Sequence, residues 1–263
     1  TANVKKAVLE LAKDKPNILL DQDIIESAKI SEDIKPESIA VAGDRNLSTL
    51  SGDFMENLDH DNLEIRSASA CSLMKMNLHI EEAKTVLQLL LISSDVHEIK
   101  TALQFLDKPM GILDDKKLED FLQHESPDIR EESLKIAEIR QNPELLDHII
   151  GNLAHPKTAI QARQALSGFD DELVLNNLDN QLYSQNNTFP MRIGIIRCLK
   201  HYGVSKSADI LHKGLSEPYL NTLSEVTNSL LSVSRKEPPS DEFIKEIGLD
   251  LDIIAKKVFQ LEL

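Results

Sequence analysis

Two residue columns recurring about every 31 positions limit what this chain can become more than any other feature. The first holds mostly small residues: Ser38, Ser69, Ala102, Ser133, Ala162, then Ile195 and Val226. The second lies four residues later, at Ala42, Leu73, Leu106, Ala137, Leu166, Leu199 and Leu230. Successive spacings are 31, 33, 31, 29, 33 and 31. Residues at i and i+4 share one face of a helix. A small residue at the first position lets a neighbouring helix approach closely, and an aliphatic residue at the second fills the space beside it. Periodicity of this length calls for one helical unit, repeated and stacked.

Residues able to start a helix precede the columns. They include Asp59-His60-Asp61-Asn62, Ser93-Ser94-Asp95, Glu125-Ser126-Pro127-Asp128, His155-Pro156, Asn186-Asn187-Thr188 and Ser216-Glu217-Pro218. Ser, Asp and Asn side chains accept bonds from the orphan N–H groups of a first turn, and Pro is tolerated there. Between columns the apolar spacing predicts a second helix, near residues 47–58, 81–92, 114–123, 143–153, 171–183 and 204–215. In Glu144–Ile150, for example, Leu145, Leu146, Ile149 and Ile150 fall on one face. A single pair cannot bury that face alone, so the pairs must stack.

Three residues before the first column, four repeats carry a base: Lys35, Arg66, Arg130 and Arg192. Ile99, Ala159 and Leu223 interrupt this basic column. Its expected role is structural, bonding to acidic turn residues of neighbouring repeats.

The motif formed by Ile65-Arg66 with Ser69 and Leu73, Ile129-Arg130 with Ser133 and Ala137, and Met191-Arg192 with Ile195 and Leu199 resembles the short HEAT-like repeats of bacteria, also found in phycobilisome lyases. The resemblance covers about residues 33–231. It implies an all-α fold, a right-handed α-α superhelix of about seven helix pairs plus terminal capping helices. The chain then reads as one domain over residues 1–263. Capping helices occupy 1–30, the repeats 31–235, and a C-terminal capping helix 241–260 follows the break at Arg235–Ser240. A second likeness, from Met191-Arg192-Ile193 through Ala208-Asp209-Ile210-Leu211 to Leu215, is to the HEAT region of bacterial ATP/ADP-translocase-like transporters. Thr1, rather than Met, opens the sequence, as expected of a piece of such a fusion.

Composition narrows the partners. Apolar residues make up 41% but aromatics only 4%, with no Trp, so the core must be aliphatic. The formal net charge of −15 repels phosphate backbones, and no Lys/Arg block offsets it, so nucleic acid is not an expected partner. The longest apolar run, Val86–Ile92, is too short to span a bilayer, so no direct membrane insertion is expected. Cys71 and Cys198 are the only cysteines, too far apart for a metal motif, and read as buried thiols in a reducing compartment.

Catalytic motifs are lacking. There is no phosphate-cradling Gly-rich loop, no His-Glu-x-x-His and no Gly-x-Ser-x-Gly. Two His-Glu dipeptides, His97-Glu98 and His124-Glu125, invite comparison with the HEAT-type di-iron hydroxylases, which need four equivalent pairs. These two are inequivalent: His97 lies two residues before Ile99, His124 six before Arg130. His60 and His124 share a repeat position, with His155 close to it, and read as turn residues. The expectation is therefore a non-catalytic scaffold without cofactor, metal or catalytic residues. It would bind a protein partner, either a basic segment or an adjacent membrane domain. It would be cytoplasmic, free-standing or as the soluble regulatory tail of a nucleotide-transporter-like membrane protein. A HEAT-type lyase or di-iron hydroxylase is the catalytic alternative.

Overall fold

The computed structural model describes residues 2–15, 17–30, 32–106, 111–184, 187–213, 215, 220–236, 240, 241, 244, 245 and 248. Among the described residues there are fifteen α-helices and no strand. The all-α class that the repeat demands is the class observed. No helix among them is long and apolar enough to cross a membrane. Contacts divide the chain into two compact units, Thr1–Arg140 and Gln141–Leu263.

In the first unit the helices are α1 (Ala2–Asp14), α2 (Asp21–Ile30), α3 (Lys35–Asp44), α4 (Ser51–Glu56), α5 (Leu63–Lys75), α6 (Ile80–Leu91), α7 (Val96–Phe105), α8 (Asp115–Leu122) and α9 (Pro127–Arg140). Helices α3, α5, α7 and α9 carry the columns, and each packs on the next. The intervening helices pack beside them, α4 and α6 on α5 and α8 on α9. In the second unit, α11 (Ala159–Leu166), α13 (Phe189–Leu199) and α15 (Leu220–Lys236) carry the columns. Their companions are α10 (Leu146–Gly151), α12 (Asp171–Leu182) and α14 (Val204–Lys213). There α13 packs on α15 and α12, and α14 on α15.

The columns lie at the centre of these contacts. All seven first-column residues are 0% exposed, and no second-column residue exceeds 6%. Burying one such aliphatic side chain contributes about 1.5–3 kcal/mol. The partly exposed ion pairs between helices, such as Lys6–Glu37 (α1 to α3) and Lys100–Asp128 (α7 to α9), contribute about 0–1 kcal/mol each. The columns, not the charges, hold the stack.

Small residues beside the second column allow close approach of neighbouring helices. On α3, a Cβ added to Gly43 would stand 2.5 Å from Ser72 Oγ of α5. That hydroxyl donates to the Ile39 carbonyl of α3 at 2.8 Å. Not every buried hydroxyl is so placed. Ser133 Oγ donates to Ile129 O at 2.8 Å, but Ser38 Oγ and Ser69 Oγ are buried without a partner among the described residues. Ala already occupies this column at Ala102 and Ala162. Ser69→Ala should therefore raise stability, by about 1 kcal/mol, because it removes a desolvated hydroxyl and keeps the volume small. Urea unfolding checks this, and a loss of stability would show that the hydroxyl has a partner.

Helix starts follow the expected chemistry. The Asn62 side chain accepts from Glu64 N–H at 2.8 Å, Asp95 from His97 N–H at 2.8 Å, and Asp114 from Lys117 N–H at 2.8 Å. Two of the companion helices are shorter than the apolar spacing predicts. Residues 47–58 form a 3₁₀ turn (Ser48–Leu50), α4 and a second 3₁₀ turn (Asn57–Asp59). Residues 143–153 do the same around α10. Tightening to i,i+3 bonds at both ends is how a helix of two turns satisfies its terminal groups. Leu106 lies just past the last residue of α7 and is still buried. The expected starts at Asn186–Thr188 and Ser216–Pro218 lie partly or wholly outside the described residues. So do the break at Arg235–Ser240 and the capping helix 241–260, apart from single positions.

Helix ends carry a repeat mark of their own. Asn46, Asn77 and Gln141 adopt positive φ (55°, 59° and 50°), each four residues after a second-column residue. Leu47 N–H bonds back to Ala42 O, and Leu78 N–H to Leu73 O, both at 2.9 Å. These six-residue closures satisfy helix-end carbonyls, and Asn tolerates the left-handed conformation they need.

Candidate functional site

The basic column is structural, but not with the partners its charge suggests. Arg66 Nε and Nη2 both donate to His60 O, at 3.0 and 2.8 Å. Arg130 Nη1 donates to His124 O at 2.6 Å and Glu125 O at 3.1 Å. Arg192 Nη2 reaches Ser184 O at 3.4 Å. Each arginine thus bonds backbone carbonyls of the segment leading into its own helix, and among the described residues Arg66 and Arg130 meet no acidic side chain of a neighbouring repeat. Carbonyls left over at the end of the previous helix are strong acceptors, and the guanidinium fork spans them. Lys35 has no such partner among the described residues, since a 3₁₀ turn (Glu32–Ile34) runs directly into its helix.

The same connection explains the histidines. His60 Nδ1 accepts from Asn62 N–H and His124 Nδ1 from Ser126 N–H, both at 3.0 Å. They are turn-building residues at one repeat position. His97 lies in the first turn of α7, exposed. Among the described residues no three His, Cys, Asp or Glu side chains could hold a metal ion.

Two further arginines went unnoticed in the sequence. Arg45 donates to Leu19 O (2.8 Å), Ala12 O (3.1 Å) and Asp21 Oδ1 (3.0 Å). Arg140 pairs with Asp115 Oδ1 at 2.7 Å and donates to Leu113 O. Both lie three residues after a second-column residue, Ala42 and Ala137. That offset was the signal available.

Concave surface suited to a ligand occurs in the second unit, as two adjoining grooves. The first, of about 600 Å³, lies between α12 and α14. Five carboxylates border it (Asp170, Asp171, Glu172, Asp179 and Asp209) against two lysines, Lys206 and Lys213. Both lysines are already paired, Lys206 with Asp171 at 2.6 Å and Lys213 with Asp179 at 2.7 Å. The hydrogen bond that Lys206 donates to Asp171 holds the lysine above its ordinary pKa. On another face of α12, Gln181 Nε2 donates to Asp147 Oδ1 of α10 at 2.6 Å.

The second groove, of about 660 Å³, shares Asp171 and Lys206 with the first. Ile160, Arg163 and Gln164 of α11, Cys198 of α13, and His201, Tyr202 and Gly203 ahead of α14 line it. Burial pushes the Cys198 thiol up to about 12, and the Arg163 charge opposes this. Burial also raises the Tyr202 phenol, with Cys198 and Asp171 adding to it. A thiol whose folded pKa is raised stays protonated while the unfolded chain gives up its proton, so stability falls as pH rises above about 9 toward 12. Cys198→Ala should flatten that decline in urea midpoints compared at about pH 8 and about pH 10.5. An unchanged slope would mean the thiol titrates freely.

No protein-family model matches the chain, and no curated protein does. A solved structure described as a crystal structure of an engineered protein is similar at 13% identity, over 89% of this chain and 74% of that one, with a TM-score of 0.38. A likeness this loose supports no statement about function.

Proposed function

We propose that this chain is a non-catalytic protein-interaction module of the HEAT-like repeat class, whose α12–α14 groove receives a basic segment of a partner. One observation carries the reading: five carboxylates face the groove, and the two lysines there neutralise only Asp171 and Asp179. Asp170, Glu172 and Asp209 remain to meet incoming Lys or Arg side chains. The chain's net charge of −15 steers cationic partners toward it and repels polyanions. The membership in the repeat class is supported by the burial of both columns in all seven repeats.

Fluorescence anisotropy with a labelled Lys/Arg-rich peptide, and an acidic peptide of equal length, tests the groove. The basic peptide should bind, more weakly as salt rises, because groove and peptide are both partly solvated. The double variant Glu172→Gln/Asp209→Asn should weaken it by about tenfold, the effect of losing about 1.4 kcal/mol of charge attraction. Equal binding of basic and acidic peptides, or an unaffected double variant, would remove this reading.

A further inference from the structure

The second groove differs in character from the first. Arg163 is the cation in its wall that has no carboxylate: it forms no ion pair among the described residues. The Tyr202 hydroxyl, on a half-buried side chain, hydrogen bonds to nothing among the described residues. Helix α14 begins at the groove's edge, at Gly203, and a helix start favours negative charge nearby. The apolar part of the lining is Ile160, 70% exposed, and Cys198 at the buried end, and Gln164, Ser167 and His201 add polar wall. One uncompensated guanidinium with one phenol donor suits a singly charged planar anion, which Arg can grip with two parallel bonds. A dianionic phosphate suits it less, because Asp171 lies in the same wall and the five-carboxylate groove adjoins it.

The two grooves meet at the Asp171–Lys206 pair, so one extended chain can occupy both. Resting on the acidic-groove reading above, we infer that the partner segment is a C-terminal tail. Its last residue is apolar and lies against Ile160 and Tyr202, its free α-carboxylate pairs with Arg163 and the Tyr202 hydroxyl, and its preceding Lys or Arg residues lie along Asp170, Glu172 and Asp209. The charge order of the surface, cation then carboxylates, is complementary to the order carboxylate then cations in such a tail.

The test uses the whole chain and three labelled peptides: one ending in Lys-Arg-Lys-Leu-Phe with a free carboxylate, the same peptide amidated, and an acidic-charge counterpart with the free carboxylate. The free acid should bind about tenfold tighter than the amide, the ratio expected for one charge-assisted contact. Arg163→Gln should abolish that ratio while the preference for basic over acidic peptide persists. Tyr202→Phe should reduce the ratio, and circular dichroism of both variants should match the parent. Conversely, Glu172→Gln/Asp209→Asn should weaken the basic preference and leave the acid-to-amide ratio intact. Equal binding of acid and amide, or a ratio that survives Arg163→Gln, overturns the terminal-carboxylate inference alone, provided the basic preference stands. Loss of the basic preference in the parent chain overturns the acidic-groove reading and this inference with it.

Discussion

Gly194→Ala is expected to destabilise the unit Gln141–Leu263 by about 3 kcal/mol, at the upper end of what one added methyl does in a packed interior. A Cβ at Gly194 would stand 2.3 Å from the Leu153 carbonyl oxygen and 2.6 Å from its carbon. Backbone cannot rotate aside as a side chain can, so α13 must move off the 3₁₀ turn Asn152–Ala154 on which it packs. Ile195 and Leu199, both 0% exposed, would move with it. The opposing gain in helix propensity is only about 1 kcal/mol. Gly151→Ala supplies the control. That residue has ordinary helical angles, and nothing lies within 4 Å of a Cβ there, so the same change should stabilise by up to about 1 kcal/mol. Opposite shifts in urea midpoint are the expected result. Equal small shifts would show that α13 does not press on the Leu153 carbonyl.

Arg130→Ala should cost a similar amount, about 3 kcal/mol, for a different reason. Arg130 is 9% exposed, and its removal leaves the His124 and Glu125 carbonyls unpaired beside the core. Burial lowers its pKa, yet an arginine remains charged, so those carbonyls are what make the charge tolerable there. Arg130→Lys should recover only part of the loss, since an ammonium lacks the planar fork that reaches two carbonyls. Arg66→Ala, at the equivalent repeat position but half-exposed, should cost only about 1 kcal/mol, because water can replace the guanidinium at His60 O. Chemical denaturation of the three variants decides it. An Arg66→Ala effect as large as that of Arg130→Ala would show that burial is not what sets the difference.

These two sites also mark how much of the molecule the sequence carries. Helix identity and the buried positions were legible because both follow from local spacing. Residues four apart share a face whatever they pack against, and Asn62, Asp95 and Asp114 cap helices through bonds no more than three residues long. The turn role of His60 and His124 followed from their place before a helix. Even the positive-φ residues Asn46 and Asn77 keep step with the columns, although composition alone did not single them out.

What the sequence by itself determined, then, is a stack of helix pairs with fourteen column positions turned inward, because a 31-residue period leaves an apolar face that only the next pair can cover. Tertiary structure alone decided which acceptor each buried arginine meets. Arg45 and Arg140 meet a carboxylate as well as backbone carbonyls, and Arg130 meets backbone carbonyls, acceptors placed by the path of the chain and not by side-chain type. It alone decided that Gly194 faces a carbonyl while Gly151 faces open space. It also brought Asp171 and Lys206, 35 residues apart, to one ion pair shared by an acidic groove and a cationic one. Such juxtapositions depend on how helices from successive repeats are offset, a property of packing that no local spacing encodes.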